Sequence, residues 1–223
     1  MVDQTDEQSE SELQFFGKMT ASMSHEIKNV MAIVNESAGL LEDYTIMAEK
    51  GMPIDPGRLK TVSQRVTTQI QRADVITKNL NRLAHSVDEF EKSVGIRETL
   101  ELAVGLTGRF ADMRGVKLKF QPPSDFPTVI TSPFHLLNLI WQVLDFAMDA
   151  TGTEKTVELT IETKPGSVAI RFNGIGSATD PPSAAKAAAL LRILGAKIHH
   201  DVEKGEIILI LPKDARQQIT AAC

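Results

Sequence analysis

The residues best suited to chemistry lie early in the chain, in the stretch SHEIKN, Ser24 to Asn29. A histidine, His25, is followed at once by a carboxylate, Glu26, and four residues later by an amide, Asn29. A neutral imidazole keeps a lone pair on one ring nitrogen and can attack phosphorus with it. A carboxylate at its side can fix the ring's tautomer or take up a proton. A metal site is disfavoured here, because the position one helical turn after His25 holds Asn29 and not a second histidine, cysteine or carboxylate. The remaining choices are a packed core histidine and an exposed one, and the helix that carries His25 decides between them.

From Phe16 the apolar positions advance by alternating fours and threes: Phe16, Thr20, Met23, Ile27, Val30, Val34, Ser37, Leu41, Tyr44, Ala48. This is a heptad seam weakened only at Thr20 and Ser37. The run KGMPIDPG then ends one helix and starts another with two glycines and two prolines. A second seam follows: Leu59, Val62, Val66, Gln69, Ala73, Ile76, Leu80, Leu83, Val87, Phe90. Two such arms make a helical hairpin with an apolar strip to hide and little core of its own, so pairing with a second copy into a four-helix bundle is expected. With Met23 at heptad position d and Ile27 at a, His25 falls at f, farthest from the partner helix. The spacing therefore predicts an exposed His25.

Composition sets the outer bounds. The chain of 223 residues is 42% hydrophobic and 24% charged, with a net charge of −5. Such a balance gives no electrostatic reason to bind nucleic acid or an anionic membrane. The one cysteine, Cys223, excludes a disulfide framework or a cysteine-based zinc site within the chain, and a reducing cytoplasm is the natural setting. The most apolar window, Leu136 to Ala150, is broken by Asn138, Gln142, Asp145 and Asp149, so no membrane span is expected. The N-terminus lacks the pattern of a signal peptide. Residues 1–10 are acidic and polar and are expected to form a disordered tail.

The segment MSHEIKN resembles the H box of sensor histidine kinases, where a His-Glu pair on the first dimerisation helix carries a phosphoryl group. That family usually has proline five residues after the histidine, and this chain has Val30. The proline kinks the helix and makes no bond to phosphorus, so its absence implies a straighter helix with the chemistry intact. The resemblance implies that His25 is the phosphoacceptor, that Glu26 hydrogen-bonds the other ring nitrogen or acts as base, and that Asn29 can orient a water for dephosphorylating a partner.

From residue 94 to residue 223 the pattern is that of an α/β unit. A helix is expected over Arg97–Arg114, then a strand at VKLKF and another at FPTVI. A helix covers Ser132 to Thr151, with Ser132 as N-cap and Pro133 in its first turn. TVELTIET and SVAIRFN alternate around the turn KPG as a hairpin. An alanine-rich helix ends on Gly195, and AKIHHDV and EIILILP close a second hairpin. This order resembles the catalytic domain of a histidine kinase. The expected organisation is thus α+β: a tail over 1–10, a dimerising and phosphoaccepting hairpin over 11–93, and a degenerate ATPase-like α/β domain over 94–223.

The resemblance fails at the nucleotide site. The two asparagine positions that serve Mg²⁺ and phosphates fall on Gln142 and Phe146, and a phenylalanine offers Mg²⁺ no oxygen ligand. FNGIGS matches the family's D-N-G-I-G turn with Phe172 where an aspartate reads adenine. Gly174 and Gly176 persist, and a turn explains them equally well. The segment SATDPPS is too short for a lid and a second glycine-rich loop. A chain with the acceptor and without the donor machinery implies a histidine phosphotransferase of a phosphorelay, with no cofactor of its own. Mg²⁺ would come from the acidic pocket of a response-regulator receiver domain, free-standing or part of a hybrid histidine kinase. Autokinase activity is not expected. Two other readings stay open on the sequence: an ATP-dependent sensor histidine kinase, and a non-catalytic module that binds a kinase or response regulator. Among the other histidines, His85 lacks a following glutamate. His135 lies in an apolar helix and is expected to be structural. His199 and His200 are neighbours on a strand and face opposite ways.

Overall fold

The computed structural model describes residues 4–122, 127–176 and 184–215. The fold is α+β. Two long helices, α1 (Gln4–Glu49) and α2 (Pro56–Ala84), lead through a short 3-10 turn (His85–Val87) into β1 (Lys92–Gly95), α3 (Ile96–Arg114), β2 (Lys117–Phe120), β3 (Thr128–Thr131) and α4 (Pro133–Asp149). Then come β4 (Thr156–Lys164), β5 (Ser167–Asn173), α5 (Ala184–Leu194), β6 (Lys197–Asp201) and β7 (Glu206–Pro212).

The chain forms two compact units, Gly17–Asn81 and a second one that joins Met1–Phe16 to Arg82–Cys223. This corrects the expected boundaries of 11–93 and 94–223. The physical reason lies in the first turns of α1. Phe15 is buried and meets Phe134 edge-on at 5.6 Å, and Glu12 Oε1 lies 3.1 Å from His135 Nε2, so these turns belong to the α/β unit. The expected disordered tail over 1–10 is corrected as well, from Gln4 on, where α1 already runs. Glutamate and glutamine are good helix formers, and Gln14 Nε2 donates to Glu10 Oε1 at 3.2 Å along the helix. Residues 1–3 of that stretch lie outside the described residues.

In the hairpin, 17–81, both ends of the connecting turn are capped as its residue types dictate. Gly51 takes φ 76°, and its N–H reaches Ala48 O at 2.9 Å while Met52 N–H reaches Met47 O at 3.0 Å, which satisfies the last carbonyls of α1. Asp55 Oδ1 accepts from Gly57 N–H at 2.8 Å and caps α2, with Pro56 in its first turn. Met19, Met23, Val30 and Ser37 on α1, with Val62 and Ile76 on α2, are the buried strip between the helices. The expected seam is therefore realised only in part. The seam residues Leu41 and Leu59 are partly exposed; Met31 and Ile70, which lie outside the expected seams, are 61% and 53% exposed. A lone hairpin covers one flank of each helix. At about 100° per residue, Ile27, Met31 and Val34 point roughly a quarter turn away from the buried strip, and Leu59 and Ile70 do so on α2 on the same side. Two ion pairs tie the opposite side: Arg65 to Glu36 at 2.7 Å and Arg72 to Glu26 at 3.2 Å.

In the α/β unit a five-stranded mixed sheet has the order β2-β4-β5-β7-β6, with β2 parallel to β4 and all other pairs antiparallel. One cross-strand row runs Phe120, Leu159, Phe172, Ile207, His200 in register. Paired residues share a face, and the buried members place this row on the core face under α3, α4 and α5. The outer face carries Glu158, Glu162, Arg171 and Glu206, where Arg171 bridges Glu162 at 2.7 Å and Glu206 at 3.0 Å. A second, two-stranded sheet of β1 and β3 was not anticipated, because each strand is only four residues long and lacks a clear alternation. The N-cap position of α4 is Ser132 as expected, yet its hydroxyl does not cap the backbone and lies instead 2.6 Å from His135 Nδ1.

Candidate functional site

His25 is exposed, on a helix that runs unbroken from Gln4 to Glu49. It points about a third of a turn away from the buried strip, on the side opposite Ile27 and Met31. Asn29 is exposed one turn later on the same side. Glu36, on that side too, meets Arg65 of α2, which makes this flank a continuous surface of both helices. The flank with His25 is polar, and the opposite flank is apolar.

Glu26 has a partner that sequence reasoning missed. Its side chain is 15% exposed, and Oε2 accepts from Arg72 Nη2 of α2 at 3.2 Å. Adjacent residues on a helix diverge by about 100°, so Glu26 turns to the neighbouring helix while His25 turns to solvent. With His25 unmodified, the partner of the Glu26 carboxylate in this structure is Arg72. Arg72 lies 46 residues on, and no motif marks it. Its place seven residues after Arg65 on α2 is the one pattern that could have revealed it.

The other histidines are engaged elsewhere. His85 is 76% exposed and lies 2.8 Å from Asp88 through Nδ1. His135 is buried between Ser132 and Glu12, with the rings of Phe90 and Phe134 at 5.5 and 5.8 Å. His199 is exposed on the outer face of β6, and His200 on its inner face meets the ring of Phe146 edge-on at 6.4 Å.

At the positions where the resembled family holds a nucleotide, this chain holds packing. Phe172 is 0% exposed in the centre of the cross-strand row, between Leu159 and Ile207. Phe146, half-buried on α4, is against His200 at the end of that row. Gln142 is half-buried, and its Nε2 donates to Asn138 Oδ1 at 3.2 Å. The retained glycines have packing reasons. Gly174 has φ 94°, and a Cβ there would collide with the carbonyl oxygen of Thr156. Gly176 N–H donates to Ala150 O at 2.7 Å, with a Cβ placed 3.2 Å from that same oxygen. The segment read as too short for a lid, 177–183, lies outside the described residues. Among the described residues there is no group of three or more histidine, cysteine or acidic side chains that could hold a metal ion. No helix among them is long and apolar enough to cross a membrane.

No family model matches the chain, and no curated protein matches it. Solved histidine kinases are similar to it in structure. The histidine kinase ThkA in complex with response regulator protein TrrA is 19% identical, with 92% of this chain and 64% of that chain covered and a TM-score of 0.47. The Acinetobacter baumannii histidine kinase AdeS is 10% identical, with 85% of this chain and 98% of that chain covered and a TM-score of 0.46. The catalytic domain of ThkA is 14% identical, with 57% of this chain and 98% of that chain covered and a TM-score of 0.44.

Proposed function

We propose that this chain is a histidine phosphotransferase of a two-component phosphorelay, active as a homodimer in the cytoplasm and independent of ATP. His25 accepts a phosphoryl group from a phosphorylated aspartate of a response-regulator receiver and returns it to the same or another receiver. The observation that carries the reading is a contrast: His25 stands exposed on an unbroken helix, and Phe172 is wholly buried where the resembled family has its adenine-reading aspartate.

Chemically, the acceptor side is present. An exposed imidazole can approach a phosphoaspartate held in a receiver's pocket, and the flank around His25 is open for that docking. The apolar flank with Ile27, Met31, Leu59 and Ile70 is then left for a second copy, which keeps both His25 sites of the dimer outward. The donor side does not fit a Mg-nucleotide. Phe146 brings no oxygen ligand, Gln142 is tied to Asn138, and Phe172 occupies the core face with hydrocarbon. No step therefore runs through bound ATP, and the Mg²⁺ that transfer needs sits in the receiver.

Incubation of the purified chain with a phosphorylated receiver domain tests the proposal. Acid-labile, base-stable label on this chain is expected, and Mg-ATP alone is expected to leave it unlabelled. Label from ATP in the absence of a receiver would favour an autokinase. A stable complex with a receiver and no label in either direction would favour a non-catalytic binding module.

A further inference from the structure

We infer that Arg72 is a phosphoryl-binding residue of the His25 site, one that holds the Glu26 carboxylate while His25 is unmodified and shifts onto the phosphoryl group once His25 carries it. The inference rests on the phosphotransfer reading above. Arg72 Nη2 meets Glu26 Oε2 at 3.2 Å, next in the chain to His25. The contact is single and at the long end for a charged pair, whereas Arg65 meets Glu36 at 2.7 Å on the same flank. Glu26 is 15% exposed and Arg72 is 49% exposed, so the guanidinium is anchored at one edge and keeps donors in solvent. That exposure lies on the side of the hairpin that presents His25, because Arg72 is on the same helix face as Arg65 two turns away. A guanidinium carries five N–H donors in a fork that suits phosphoryl oxygens two at a time.

The group transfer sets the demand. A ring nitrogen of His25 forms the N–P bond with its lone pair as the P–O bond to the receiver's aspartate breaks. The electron pair leaves on that aspartate's carboxylate, and the other ring nitrogen keeps its hydrogen. A dianionic phosphoryl group then sits on a cationic ring beside Glu26. The Glu26 carboxylate, next in the chain, repels the new negative charge. When Arg72 turns to the phosphoryl oxygens it neutralises part of that charge and releases Glu26, which can accept a hydrogen bond from the remaining ring N–H. One arginine thus serves both states of the histidine.

Phosphoramidate, a chemical donor that needs no receiver, allows a direct test on the full chain. Phosphohistidine at His25 is followed by phosphorus NMR, and its loss with time is measured across a range of pH. Arg72→Ala and Arg72→Gln are expected to shorten its lifetime about tenfold and to move its phosphorus resonance, while Arg72→Lys recovers part of the lifetime. Arg65→Ala, which removes the neighbouring pair, is expected to leave both unchanged. Circular dichroism and light scattering should match the wild type throughout, since Arg72 is half exposed. A wild-type lifetime and resonance in Arg72→Ala overturn the inference alone. Absence of phosphohistidine at His25 in the wild-type chain overturns it together with the reading it rests on.

Discussion

Replacing Phe172 tests whether the nucleotide position has become core. Its side chain is 0% exposed, and its cross-strand neighbours are Leu159 and Ile207, both 0% exposed. Truncation of a phenylalanine so enclosed costs about 3–5 kcal/mol, from lost transfer energy and the cavity left behind. Phe172→Asp restores the residue type that the resembled family has there, and it places a carboxylate between the aliphatic side chains of Leu159 and Ile207. Its cost should be at least that of Phe172→Ala, because desolvating an unpaired charge adds to the lost packing. Trp141, the one tryptophan, is 6% exposed and packs on Phe110 at 4.8 Å in the same unit, so its fluorescence reports that unit's unfolding. With a urea dependence of about 1–3 kcal/mol per M, the midpoint should fall by more than about 1 M in Phe172→Ala and by at least as much in Phe172→Asp. Calorimetry with Mg-ATP should show no binding by the wild-type chain. A Phe172→Asp variant as stable as wild type, or wild-type binding at micromolar Mg-ATP, would refute the filled-site argument.

Further expectations follow from the same geometry. Light scattering should give a mass near twice 24.4 kDa, and Ile27→Glu combined with Ile70→Glu, on the apolar flank, should yield a monomer that remains helical. A monomeric wild type would contradict the role assigned to that flank. On the outer face of the sheet, the hydrogen bond from Arg171 holds the Glu162 carboxyl below its ordinary range. A lowered folded value means that the pair contributes stability above the ordinary glutamate value and loses it as pH falls through the folded one. From about pH 6 down to about pH 3, the urea midpoint of Glu162→Gln should therefore fall less steeply than that of the wild type. Parallel slopes would remove Glu162 as a source of the acid sensitivity.

Much of the fold was legible because its signals are local. The two long seams mark α1 and α2, alternation marks β4 and β5, and Asp55, Pro56 and Gly51 mark the turn between the helices. The exposure of His25 followed from its heptad position alone. What stayed hidden depends on residues far apart in the chain. Residues 1–10 read as an acidic tail, and Glu12 and Phe15 as part of the hairpin, because nothing near them reveals that His135 and Phe134 will meet them. Glu26 read as a partner for its neighbour His25, because Arg72 reaches it only once the hairpin has closed. Ser132 occupies the N-cap position that local rules assign, yet a histidine three residues on takes its hydroxyl. The strand at β3 was expected, but its partner β1 has only four residues before α3, too few for a period to show, so their pairing stayed hidden.

The account's central claim is that His25 receives a phosphoryl group from another protein. The direct measurement is transfer of radiolabelled phosphate from a phosphorylated receiver to the wild-type chain and to His25→Gln, with the labelled residue identified by mass spectrometry. His25 is exposed, so the substitution should leave helix content and oligomeric state unchanged. The account predicts label on His25 in the wild type and none anywhere in His25→Gln. Label that persists in His25→Gln, or that disappears in His85→Gln instead, would contradict it.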